Sequence, residues 1–265
     1  MTGSILGFAA IAAYAYGLVY HLLQLRKDPQ FNPISLQVIT GIGISLHALA
    51  ISGLLLIEGG LDLSLFKILA LLALVINILV FVSGLKKPLH SLYLVLLPVS
   101  ALCLLAALTN PSTKPPALMS APIQAHVLIS ILAYSLLAIA ALQALLAGYQ
   151  DWQLKHKHQN ILMRTLPPVQ TMEILLFELI WAGEILLTLS LVSGFLFFDD
   201  LFAQHLVHKV AFSLVAWFVY AILLWGRHSR GWRGNKAIRW TWAGFIAIVL
   251  GYIGSKVVME FILIQ

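Results

Sequence analysis

The sequence predicts an all-α membrane protein, a bundle of about eight transmembrane helices with both termini on the non-cytoplasmic side. Three observations carry this. Of 265 residues, 61% are hydrophobic and 10% charged, and the mean hydropathy is +0.96. A water-soluble domain of that size cannot hide so much apolar surface, so lipid covers part of it. Apolar runs of about 20 residues, the length that crosses about 30 Å of hydrocarbon, recur at about 4–25, 34–57, 63–85, 89–109, 122–148, 173–198, 207–226 and 237–262. The lysines and arginines then alternate between the connecting segments. Twelve of the 16 follow the odd-numbered spans, from Arg26 and Lys27 to the dense set Arg227, Arg230, Arg233, Lys236 and Arg239. The other side receives only Lys67, Lys114, Lys209 and Lys256, among Glu58, Asp62, Asp199, Asp200 and Glu260. Cationic loops stay cytoplasmic, which sets the orientation of every span.

The whole chain, 1–265, reads as a single integral membrane domain. Its net charge of +6 sits in short loops, so it marks topology and not a nucleic-acid surface. One cysteine, Cys103, rules out an intrachain disulfide, a CxxC redox pair and a CxxCH haem attachment. The N-terminus lacks a basic leader and a clear cleavage site and is expected to remain as the first helix.

Span one carries Gly3, Gly7, Ala10, Tyr14, Gly17 and His21 at 4-3-4-3-4 spacing, a small-residue stripe for close helix contact. His21 ends it at the cytoplasmic face, where a histidine suits a helix end. Span two repeats the device with Thr40, Gly43, His47 and Ala50; His47 falls about halfway across, where its ring must find a partner or a function. Spans three and four are apolar apart from Asn77 and the kink-forming Pro98. His90, beside Lys86 and Lys87, is expected to be solvated, and a stiff proline-rich connector, Asn110–Pro122, follows. In span five His126, Ser130 and Tyr134 share one face and need a partner within the bundle. His156 and His158, among lysines, read as a solvated stretch. Span six holds Glu173, suited to a helix N-terminus, Glu178, and Glu184, which falls near mid-membrane and must be neutral or paired. A proton relay and an acid bonded to a neighbouring helix are the two readings of Glu184.

The topology puts His126 and His208 at the same depth, each opening a helix that runs inward. Two neutral imidazoles facing across one cavity make a bis-histidine clamp for haem iron. Phe195, Phe197, Phe198 and Phe202 are placed to wall such a cavity, and Lys209 to meet a propionate.

Several stretches add a resemblance: AHVLISILAYSLLAIAALQALL around His126, LPPVQTMEILLFELIWAGEILLTLSLVSG in span six, His208-Lys209, GWRG at 231–234, and more loosely LHALAI around His47. Together, across about 122–260, they resemble the cytochrome c assembly (haem-handling, CcsA- and CcmC-related) membrane proteins, in particular the YpjD-type inner membrane branch. The resemblance implies residence in the bacterial cytoplasmic (inner) membrane and non-covalent haem b with His126 and His208 as the axial pair. It sets His47 opposite a histidine inside the membrane. In that family a tryptophan-rich external loop cradles the porphyrin, whereas the segment 198–207 here has no tryptophan.

The function expected is therefore membrane haem handling in support of cytochrome c biogenesis, with lipid, haem, and other maturation proteins or an apocytochrome as partners, and no nucleic acid. No nucleophile–base pair, phosphate loop or thiol pair suggests an enzyme. The alternative is a membrane transporter, or a regulatory or structural subunit of a membrane complex, in which His47 and Glu184 are the working groups. Against a transporter stands the lack of an evident inverted repeat.

Overall fold

The computed structural model describes residues 2–27, 33–57, 60–110, 118–157, 163, 166–197 and 204–254. Among them eight helices are long and apolar enough to cross a membrane. They are α1 Thr2–Lys27, α2 Pro33–Leu55, α3 Leu65–Gly84, α4 Tyr93–Thr109, α5 Ala121–Lys155, α6 Val169–Phe197, α7 Gln204–Arg230 and α8 Asn235–Val249. A 3₁₀ turn, His90–Leu92, leads into α4, and a π turn, Leu250–Gly254, extends α8. Asp199, Asp200, Phe198, Phe202, Glu58, Lys114, His158, Arg164, Lys256 and Glu260 lie outside the described residues. The helices form two compact units: α1–α4 and α5–α8. Each is described by itself.

In the first unit α1 packs on α2 and α4, and α3 on α2 and α4. The small-residue stripes make those contacts. Gly7, Ala10, Tyr14, Gly17 and His21 are all buried, as are Thr40, Gly43, His47 and Ala50. A side chain at Gly7 would meet Leu108 of α4, and one at Gly43 would strike the Tyr14 ring at 2.8 Å. Without a hydrophobic drive between helices in lipid, such close backbone approach is what holds them. Asn77 donates to the Ala73 carbonyl and to Ser100 of α4. His90 departs from the sequence expectation: the 3₁₀ turn packs it half-buried, so the solvated loop predicted there is part of the α4 entry.

Between α2 and α3 a two-residue antiparallel hairpin pairs Leu56 with Leu61 and Ile57 with Gly60. Asp62 anchors its exit. Its N–H donates to the Leu55 carbonyl, and its carboxylate accepts the Ser64 N–H (3.0 Å) and the Lys67 ammonium. Burial pushes the Asp62 carboxyl up, but the Lys67 and Ser64 bonds outweigh it and hold the group below the usual carboxylate range. A folded-state value below the unfolded one means the contribution is present above about pH 3.9 and is lost as pH falls through the folded value. Melting of the detergent-solubilised protein is therefore expected to drop in strong acid, and Asp62→Asn to melt lower at neutral pH with a smaller further acid loss. An identical acid loss in wild type and Asp62→Asn would show that another group sets it.

In the second unit α5 packs on α6 and α8, and α7 on α6 and α8. The core gathers Ala133, Leu137, Ala140, Ile180, Leu187, Ala216, Tyr220 and Leu223. Pairings between α5 and α6 step in opposite directions (His126 with Ser193, Ser130 with Ser190, Gln143 with the Met172 carbonyl), so these helices are antiparallel. The reversal from α7 to α8 is made by Gly231–Gly234. Both glycines take positive φ (63° and 56°), a region that a side chain disfavours. Trp232 between them sits against Gly226, donates its backbone N–H to the Gly226 carbonyl, and accepts a bond from Arg227. Glu173 of α6 accepts the Gly234 N–H at 2.6 Å and lies 3.8 Å from Arg233. Its carboxylate thus serves the turn below α8, where the sequence suggested only its own helix N-terminus.

Candidate functional site

The His126 end of the second unit is built from side chains on three helices. Ser120 and Pro122 start α5, and His126 comes on its second turn, half-buried. Opposite it, α6 presents Gly194, where a Cβ would come within 3.2 Å of the imidazole; the missing side chain lets the ring lie against the helix. His126 Nδ1 is 2.9 Å from Ser193 Oγ. One turn inward Ser130 and Ser190 join at 2.7 Å, and one turn further Tyr134 OH meets Ser213 of α7 at 3.3 Å. The polar face predicted on span five finds its partners here.

These contacts orient the histidine ring. Ser193 Oγ donates to the Ser190 carbonyl (2.9 Å), which leaves its oxygen as an acceptor facing His126 Nδ1. Nε2 lies on the side of Ser130, 3.5 Å from an Oγ that donates to the His126 carbonyl (2.7 Å). A metal ion takes an imidazole through one nitrogen while the other donates to a second group that fixes the ring. Bonds of this kind between membrane helices contribute about 0.6 kcal/mol each, so the serines orient the ring more than they hold the helices.

His208 lies five residues before Ser213 on α7 and is exposed. The Tyr134–Ser213 bond places both histidines toward the same end of the unit, about 12 and 7.5 Å of helix rise from it respectively. The rings differ: His126 is bound into the α5–α6 seam and His208 is exposed. Lys209 is half-buried, with its ammonium 5.9 Å from the centre of the Tyr252 ring. Phe195 and Phe197 are exposed at the end of α6.

His47 lies in the other unit, fully buried. Tyr14 OH is 3.1 Å from its Nδ1, and its Nε2 is buried with no hydrogen-bond partner among the described residues. One nitrogen is oriented and the other left for something else. Ser190, Ser193 and Ser213 are site residues that sequence reasoning did not single out, and Tyr14 was read only as part of the span-one stripe. Serines three apart beside Gly194, in the apolar stretch that follows Thr188, were the available signal. His156, by contrast, is exposed and stacked on Trp152 with its Nδ1 on the Trp152 carbonyl, as a solvated stretch should be.

Fold and site together define a polytopic helical membrane protein with oriented imidazoles on separate helices. The sequence profile described as "Cytochrome C assembly protein" matches residues 4–263. The chain belongs to the cytochrome c assembly protein family. It is 30% identical over 261 residues to "Inner membrane protein YpjD" of Escherichia coli K12, which covers 96% of this chain and 98% of that one. A "28.8 kDa protein in nifR3-like 5'region" of Azospirillum brasilense is 32% identical over 53% of each chain. "Cytochrome c biogenesis protein CcsA" of Prochlorococcus marinus is 30% identical over 40% of this chain and 36% of its own. No solved structure matches. The eight spans and the YpjD relationship make this a multi-pass inner-membrane protein.

Proposed function

We propose that the chain binds haem b non-covalently in the inner membrane and handles it for cytochrome c biogenesis. His126 and His208 are the axial pair on the non-cytoplasmic side, and Lys209 serves a propionate. His47 supplies a further imidazole within the membrane. Family membership supports the role in cytochrome c assembly. The single observation that supports ligation is the His126 network, in which Ser193 holds Nδ1 and orients the ring. His47, with Nδ1 on Tyr14 and a buried Nε2 that has no partner among the described residues, suits the same chemistry. His208 is supported by its depth and by the family motif around it. Haem held by two imidazoles has no open coordination position, so it exchanges electrons or is carried and does not activate oxygen. The chain's own residues orient, bury and hold; no chemical step is assigned to them, and the haem passes to another maturation protein or to an apocytochrome.

The test is an absorbance titration of the purified full-length protein with haemin. A Soret band characteristic of bis-histidine haem is expected, lost in His126→Ala and in His208→Ala. Ser193→Ala keeps the ligand but loses its orienting bond, and affinity should fall about tenfold. A band that survives both histidine changes would remove the outer pair as ligands.

A further inference from the structure

Glu184, near the middle of α6, is only 6% exposed, and neither of its carboxylate oxygens has a hydrogen-bond partner among the described residues. A buried polar group is normally satisfied, and an ionisable one inside a membrane bundle normally finds a partner on a neighbouring helix. Here the nearby donors are committed elsewhere. Thr188 Oγ1 donates to the Glu184 carbonyl, Trp217 Nε1 donates to Thr188 (2.9 Å), and Tyr220 OH donates to the Thr241 carbonyl (3.2 Å). A structural acid would use its O–H on one of these helices, so packing leaves this carboxyl unexplained.

What the structure places above Glu184 is a column of polar side chains. Lys209, Ser213, Trp217 and Tyr220 follow one another on α7 at 4-4-3 spacing, one face of the helix. Each rung has a partner across the helix: Tyr252 under the Lys209 ammonium, Tyr134 on Ser213, Thr188 on Trp217. Tyr220, at the lowest rung, stands within electrostatic reach of Glu184. Rungs come about 4.5–6 Å apart along the helix.

We propose that Glu184 is a proton-binding site inside the bundle, which takes up and releases its proton along this column toward the His126 end. The proton leaves the carboxyl O–H for water at the column's mouth and returns the same way. The surroundings are otherwise uncharged. From α5, Leu136 and Leu137 face the adjoining Gly183, and residues 130–144 include no charged side chain. From α7 the titratable neighbour is Tyr220. From α8 the nearest charge, Arg239, is exposed, as is Glu178 on α6 itself. The site is independent of haem ligation.

Dicyclohexylcarbodiimide tests it, because a protonated carboxyl in an apolar setting adds its O–H across the reagent's C=N bond to give an O-acylisourea, whose acyl group then shifts from oxygen to nitrogen to leave a stable N-acylurea with no leaving group. Full-length protein in detergent, with no haem added, is labelled over a range of pH and mapped by peptide mass spectrometry. An adduct at Glu184 is expected, falling about tenfold per pH unit once the carboxyl ionises, absent in Glu184→Gln and kept in Glu184→Asp. After a jump to alkaline buffer, Thr188→Val combined with Trp217→Phe should slow the fall in labelling several-fold. No adduct at Glu184 in wild type at any pH, or the same yield throughout, overturns the site; an unslowed fall in the double variant overturns the route.

Discussion

Gly244→Leu is expected to leave little folded protein. A Cβ at position 244 would lie 2.6, 2.7 and 3.0 Å from three atoms of the Tyr220 ring. Tyr220 has no exposed surface, and its hydroxyl is bonded to the Thr241 carbonyl, so the ring has nowhere to swing. Even alanine overpacks this seam, at a cost of about 1–3 kcal/mol. Leucine forces α7 and α8 apart and strands the Tyr220 hydroxyl, adding about 1–3 kcal/mol for a buried group without its partner. Together these reach a large fraction of the stability of an ordinary domain. Gly53→Ala is the matched control: nothing lies within 4 Å of its added Cβ, and alanine improves helix propensity by up to about 1 kcal/mol. The measurement is monodisperse yield and melting temperature in one detergent. Equal values for Gly244→Leu and Gly53→Ala would mean that the α7–α8 contact is looser than described.

Glu173→Ala should have the next largest effect. The carboxylate accepts the Gly234 N–H, one of the first backbone donors of α8, and no side chain caps that helix end. Truncation leaves the donor and the nearby Arg233 without their anion, a loss of about 1.5–3 kcal/mol for a hydrogen bond to a charged group. The damage should be local. Arg227, with its guanidinium 4.6 Å from the Phe177 ring, and Lys236, 3.8 Å from the Trp232 ring, would still hold the turn on its other side. Amide exchange mapped by mass spectrometry is expected to rise across 231–238 and not across 216–224. Protection unchanged at 231–238 would show that Trp232 and the cations fix the turn without Glu173. Glu173→Gln separates charge from contact, because its amide oxygen still accepts the Gly234 N–H.

The helical stripes were legible because each helix reads its own spacing. Every member of the span-one stripe from Gly7 to His21 is buried, and so is every member of the span-two set. Cation alternation and apolar length marked eight spans for the same local reason. What the spacing could not supply is the partner across the bundle. His126 meets Ser193, 67 residues away, and His47 meets Tyr14, 33 away. Nor could spacing give the surroundings of the two outer histidines: one ring enters a seam and the other is exposed. Periodicity also could not show that Glu184 finds no hydrogen-bond partner among the described residues. Span five was also expected to end near 148, because hydropathy falls there. Polar residues with good helix propensity and an Asp151–Lys155 pair carry α5 on to Lys155.

That extension has a consequence for the bilayer. A helix of 35 residues is about 52 Å long, against about 30 Å of hydrocarbon. Unless steeply inclined, α5 must stand clear of the lipid like a post. Its last two turns carry exposed Trp152, Leu154 and Lys155, so their side chains meet headgroups or water and not acyl chains.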